Sequence, residues 1–318
     1  MKRIKRLGVM LVAAMTVGAA SAQSVEDVKQ KWQEAAELLQ SKKLVEAIPV
    51  LEEVVKLGAA AGPEATEVVS EAQKYLPTCY QQKGAELYKA QKFDEAIAAV
   101  TRAADLADMQ GDMMMARKMG RMVSQLYMAQ GVGSFNAKNY AKALESFQKG
   151  YEQDPDNVQL TYFMAKSYAE LKELDKAVEL YKQVIDKGTE NSKFAQQAAA
   201  AKADMENCLL VAISDAAKAG DIEKVQTFVA LIPESANANL LLIQTANNFK
   251  KYDVVIAKGG DAYAVQTDEA QKSNVAYLVG VAYQNRGNNA KAAEWLRKVT
   301  AGPNVAAAKA LLADVTAA

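Results

Sequence analysis

The sequence predicts an all-α protein, a stack of about seven helical hairpins. Three observations carry this. Ala143 and Ala177 stand 34 residues apart in matching phrases, Asn139-Tyr140-Ala141-Lys142-Ala143-Leu144 and Glu173-Leu174-Asp175-Lys176-Ala177-Val178, and an aromatic, Phe147 or Tyr181, follows each alanine by four residues. A fixed period of this length marks the repetition of one supersecondary unit. Half of the residues are apolar, only 17 glycines and six prolines interrupt the 318 positions, and alanine, glutamate, lysine and glutamine, all good helix formers, dominate. No stretch keeps the period-two alternation of Val, Ile and Thr that a half-buried strand requires.

From 125 to 157 the chain carries Tyr127, Gly131, Ser134, Ala143, Phe147, Gly150 and Pro155 at fixed offsets, with Tyr140 at the turn. A second copy has Thr161, Ala165, Tyr168, Ala177, Tyr181 and Val184 and lacks the closing proline. A third, near the C-terminus, has Gly280, Tyr283, Ala292, Leu296 and Val299, with Pro303 one place early. These copies resemble the tetratricopeptide repeat, departing from it in the first copy at Ser134, where an aromatic is usual, and at Gly150, where alanine is. The resemblance implies pairs of antiparallel helices, A then B, stacked as a right-handed α-α superhelix. Physical chemistry accounts for the residue types. A small residue at the crossing lets two helices approach to ~8–10 Å, and a large one there overpacks at ~1–3 kcal/mol. No hairpin buries its apolar face alone, so the stack is the folding unit.

Residues 1–22 read as a secretory signal: Lys2, Arg3, Lys5 and Arg6 form the charged start, 7–20 the apolar stretch, and Ala20-Ser21-Ala22 a small-residue cleavage site before Gln23. Fourteen residues are too few for a bilayer, which takes ~20. No cysteine follows to carry a lipid anchor. A mature, periplasmic chain without membrane span or lipid anchor is therefore expected. Residues 25–40 form helix A of the first hairpin, with Trp32, Ala35 and Leu38 at the repeat offsets. Its helix B, 44–56, carries Ala47, Leu51 and Val54 and is ended by Gly58 and Gly62-Pro63. The next helix runs over 63–90 with Tyr80, Gly84 and Leu87, and Phe93-Asp94-Glu95-Ala96 opens its partner, Asp94 placed to cap it.

Ala47 to Ala96 spans 49 residues, Ala96 to Ala143 spans 47 and Ala177 to Val225 spans 48. The surplus over 34 is close to four helical turns, so lengthened, continuous A helices are expected over 63–90, 112–138 and 191–219. Val225 and Val255 replace the crossing alanine, which makes the fifth and sixth hairpins degenerate, with turns at Asp221-Ile222 and Tyr252-Asp253. A final helix from Pro303 caps the stack. The expected organisation is a signal over 1–22, N-terminal hairpins over 23–188 (two with lengthened A helices), degenerate hairpins over 189–302 and a capping helix over 303–318.

Composition excludes several chemistries. There is no histidine, which removes Ser-His-Asp and Cys-His catalysis and the commonest metal ligand. Cys79 and Cys208, the two cysteines, fall at the same place in helix A of hairpins two and five, too far apart for a disulfide, and read as buried small hydrophobes. Without the first six residues the charge is −4, and no concentrated basic face suggests nucleic acid. Acidic pairs such as Glu52-Glu53 and Asp94-Glu95 read as solvated faces or caps. Gly259-Gly260-Asp261 marks a break or a close approach. Met109, Met113, Met114, Met115, Met119, Met122 and Met128 read as gap fillers of a long core helix, with an adaptable partner surface as the alternative.

These readings converge on a non-catalytic scaffold with no cofactor or metal, binding a protein or peptide partner. A small-molecule or glycan-binding protein is the alternative. In the family that the repeats resemble, helix A lines the concave face. Its offsets, carried onto this chain, give Trp32, Tyr88, Phe135, Asn136, Tyr162, Lys166, Gln244, Asn247, Tyr277, Gln284 and Asn285 as groove candidates. Rings bury area at low entropic cost, and amides meet a ligand's backbone.

Overall fold

The computed structural model describes residues 25–317, and the secretory signal over 1–22 with its cleavage before Gln23 lies outside the described residues. Fifteen α-helices and no strand occur among them. Seven successive A–B pairs are α1 (Val25–Gln40) with α2 (Leu44–Ala61), α3 (Thr66–Lys89) with α4 (Phe93–Met109), α5 (Met113–Asn136) with α6 (Tyr140–Gln153), α7 (Val158–Glu170) with α8 (Leu174–Glu190), α9 (Ala195–Lys218) with α10 (Ile222–Val229), α11 (Ala236–Asn248) with α12 (Tyr252–Ala264), and α13 (Glu269–Asn285) with α14 (Asn289–Leu296). The closing helix α15 (Val305–Ala317) starts two residues past Pro303.

One turn is used seven times. Lys42, Gln91, Lys138, Lys172, Gly220, Lys250 and Gly287 all have positive φ, between 54° and 73°. Each sits five residues before the crossing residue of its B helix, namely Ala47, Ala96, Ala143, Ala177, Val225, Val255 and Ala292, and all seven crossing residues are fully buried. Around each left-handed residue run the two bonds of a Schellman motif. In hairpin one, the Lys43 N–H donates to the Leu38 carbonyl at 2.9 Å and the Lys42 N–H to the Leu39 carbonyl at 3.0 Å. The degenerate fifth hairpin repeats them, Asp221 N–H to Ala216 carbonyl at 3.0 Å and Gly220 N–H to Ala217 carbonyl at 3.1 Å. The turn also decides capping. The residue after the left-handed one is the N-cap, so Asn139, Asp221 and Asn288 bond the N–H groups of Lys142, Lys224 and Lys291. Hairpin two has Lys92 there, without a side-chain cap. Asp94 lies inside the helix and accepts from Gln130 at 2.8 Å, contrary to the expected cap.

Helix lengths follow a pairing rule. The lengthened A helices α3, α5 and α9 have 24 residues each. Each follows a long B helix, α2 with 18 residues and α4 and α8 with 17. The 34-residue spacing belongs to α6, with 14 residues, and α7, with 13. Antiparallel neighbours bury each other over their whole lengths only when the lengths match, so the surplus is shared between B and the next A. Helix α2 accordingly runs through Gly58 to Gly62. Gly58 is buried within it, because a Cβ there would meet Val69 Cγ2 at 2.0 Å, and Gly62 alone ends the helix at φ 85°. Pro77, inside α3, cannot donate to the Gln73 carbonyl, and the Gln110 amide supplies that bond from the end of α4 at 2.7 Å. At Gly259 the close approach is realised: α12 is continuous, and a Cβ would lie 2.3 Å from Val279 Cγ2.

The described chain forms two compact units, one of residues 25–131 and 149–155, the other of 132–148 and 156–317. The 188/189 boundary drawn from repeat quality falls inside the second unit. The first unit holds two cores, around Leu51, Leu76 and Cys79 and around Val100, Met119 and Leu126. The second holds three, centred on Tyr181 and Leu209, on Ile243 and Val279, and on Leu296 and Val315. Within this second unit α7, α9, α11, α13 and α15 contact one another in succession, while consecutive B helices do not reach each other beyond marginal contacts. The A face is the crowded, inner side of that stack. No helix of the described residues is long and apolar enough to cross a membrane.

Candidate functional site

The A face of the second unit gathers its chemistry where α7 meets α9. The Tyr162 hydroxyl donates to Asp204 Oδ2 at 2.7 Å, and the Lys166 ammonium stands 3.4 Å from the same oxygen. Tyr162 and Lys166 lie one turn apart on α7 and face α9 together. The Lys166 ammonium also covers the Tyr162 ring at 5.4 Å and the Phe135 ring at 5.8 Å, within the range of a cation–π contact. Burial, then the bond to Asp204 and its charge, push the Tyr162 phenol well above its ordinary pKa. A hydrogen bond to a charged acceptor contributes roughly 1.5–3 kcal/mol. The half-exposed ion pair adds about 1 kcal/mol or less.

Rings support this point from below. Phe135 meets Tyr140 edge-on at 5.2 Å and Phe163 at 6.1 Å, Phe163 stacks on Phe147 at 5.3 Å, and Tyr162 reaches Phe163 and Tyr181 at 5.8 and 6.3 Å. Phe147 and Tyr181 are buried, so the platform is anchored in the core. Beside it opens a pocket of about 310 Å³, lined by Lys166, Glu170, Asp204, Asn207, Cys208 and Val211 among others. Val211 is 53% exposed, an apolar side chain left in solvent at the pocket wall. Cys208 is half-buried rather than buried as expected, and burial pushes its thiol up to about 11. Cys79 is buried, and its thiol is likewise pushed up to about 11. The shifted groups of this site, Tyr162, Tyr181 and Cys208, all move away from neutrality.

Of the groove candidates, the structure brings Phe135, Tyr162 and Lys166 together. Asn136 is exposed at the end of α5. Trp32 is half-buried and packs at 6.0 Å against Tyr75, an exposed ring on α3 that repeat offsets do not pick out. Tyr88 is 47% exposed beside Phe93. On α11 Gln244 and Asn247 are half-buried, and Asn247 Oδ1 is shielded without a hydrogen-bond partner. Tyr277 packs on the C-terminal core, Gln284 is half-buried, and the exposed Asn285 donates to the Val281 carbonyl. Asp204 was out of reach of repeat spacing. It precedes Val225 by 21 residues, whereas α7 starts only 19 before Ala177, so it sits in the surplus of a lengthened helix. Its signal is a carboxylate that, with Lys202, interrupts the alanine-rich start of α9.

Residues 135–203 match the tetratricopeptide repeat family model. This segment carries a tetratricopeptide repeat, and the described residues form the all-α series of helical hairpins that the repeats implied. Nothing among curated protein sequences matches it. Similar solved structures include a tetratricopeptide repeat protein from Parabacteroides merdae, 13% identical over 92% of this chain and 99% of that one with a TM-score of 0.29. MamA protein is 18% identical over 55% and 89% with a TM-score of 0.29. The TPR2AB domain of yeast Sti1 in complex with pHSP90 is 14% identical over 76% and 98% with a TM-score of 0.27. Tetratricopeptide repeats generally mediate protein–protein interactions.

Proposed function

We propose that the protein is an exported, non-catalytic scaffold that holds an extended protein segment on the α7–α9 face. One observation carries this reading: Tyr162, Lys166 and Asp204 form a fixed polar cluster on two neighbouring A helices, above anchored rings and beside the exposed Val211. A preorganised mixture of rings, an ammonium and a carboxylate suits side chains and backbone amides of a peptide, and cuts the ordering cost of binding. The absence of histidine from the chain and the upward shifts of the phenols and of Cys208 support a role without chemistry of its own.

Lys166→Ala, Asn207→Ala and Val211→Ala combined remove pocket-wall groups that are not core. Immobilised variant should lose a partner that wild type retains from cell-envelope extract, with a melting temperature nearly unchanged. Retained capture contradicts the site. Export has its own test, since N-terminal sequencing of the periplasmic fraction should begin at Gln23, and a chain starting at Met1 in the cytosol contradicts it.

A further inference from the structure

The methionine run divides in the structure. Met119 is fully buried and Met115 and Met122 pack partly against the same core, as the gap-filling expectation required. Met109, Met113 and Met114 do not: they are 80%, 52% and 85% exposed. Only seven large apolar side chains are exposed in the described chain, and three of them fall within these six residues. They occupy the tip where α4 ends at Met109 and α5 begins at Met113, around Gly111 at φ 76°. A tip has no face to bury, so helical patterning gives no reason for apolar side chains there.

We propose that Met109, Met113 and Met114 form an oxidation site, where a peroxide-class oxidant converts surface thioethers to sulfoxides while the fold stays intact. In each event the sulfur attacks one peroxide oxygen, the O–O bond breaks and an S–O bond forms. The sulfur is oxidised by two electrons, the peroxide is reduced, and water leaves. Solvent access selects the tip. Met119, Met164 and Met205 are 0%, 8% and 6% exposed, and a sulfoxide oxygen there would enter the core. The usual competitor is a thiolate, and the chain withholds it. Cys79 is buried, and the half-buried Cys208 has its thiol pushed up to about 11, which leaves about one thiolate in ten thousand at pH 7. At the tip the added oxygens remain in water, and the Asp112 carboxylate, which caps α5 by accepting from the Met115 N–H at 2.9 Å, is untouched. Oxidation therefore turns an apolar patch polar without cost to the helices, a chemically set surface state.

The test treats the full chain with dilute hydrogen peroxide at pH 7 and maps sulfoxides by tandem mass spectrometry over time, with circular dichroism alongside. The tip sulfoxides should form roughly ten-fold or more faster than those at Met119, Met164 and Met205, with both cysteines reduced and ellipticity constant. Met109→Leu, Met113→Leu and Met114→Leu together keep the bulk and should abolish the early oxygen uptake. Equal rates at all six methionines, prior oxidation of Cys208, helix loss in step with tip oxidation, or unchanged early uptake by the triple variant would each overturn the assignment.

Discussion

At Ala177 one methyl group sets the spacing of a hairpin. The residue is fully buried in the core that also holds Ala165 and Tyr181. Ala177→Leu should lower stability by ~1–3 kcal/mol through overpacking. Lys142→Leu, on an exposed position one residue before another crossing alanine, should stay within ~0.5 kcal/mol. Urea titration compares the two, and equal midpoints would refute the register. Residues of this kind were legible in the sequence because the turn fixes them. A left-handed residue followed five places later by a small buried one recurs in all seven hairpins, even where valine stands for alanine. Less legible were residues whose role depends on a neighbour in space. Asp94 reads as a cap until the Schellman turn places Lys92 at that position. Asp204 reads as one charge on a helix until Tyr162 and Lys166 arrive from 42 and 38 residues away.

At the scale of elements, existence and order were readable from period and composition, but boundaries moved with their neighbours. The sequence places the surplus residues in A helices alone. In the structure α2, α4 and α8 lengthen too, because a long helix next to a short one would leave an apolar stripe in water. Where α8 and α9 run side by side, they meet at Gly188. A Cβ there would lie 2.2 Å from Ala198 Cβ and 3.2 Å from the Phe194 carbonyl oxygen. The Phe194 carbonyl belongs to the short turn Ser192–Phe194 that leads into α9, so it is backbone and cannot swing aside. Gly188→Ala should therefore cost ~1–3 kcal/mol and lower the melting temperature, although alanine is the better helix former in isolation. A neutral or raised melting temperature would show that these two helices are not in close contact.

For the whole molecule, the fold class followed from repeat spacing, whereas the face proposed to bind did not. Repeat offsets scatter candidates over both compact units, from Trp32 to Asn285, because every A helix offers the same positions. Local structure concentrates them. Around Phe135, Tyr162 and Lys166 a ring platform, an ammonium and a carboxylate meet beside a pocket on the A face. The central claim, that this A face rather than the B layer receives the partner, is tested most directly by site-specific photo-crosslinking in living cells. A photoreactive side chain at Asn207, exposed on α9 beside the pocket, is compared with one at Lys182, exposed on α8. The account predicts a discrete crosslinked partner from position 207 and none from 182. Crosslinking from 182 as strongly as from 207, or from 182 alone, would contradict it.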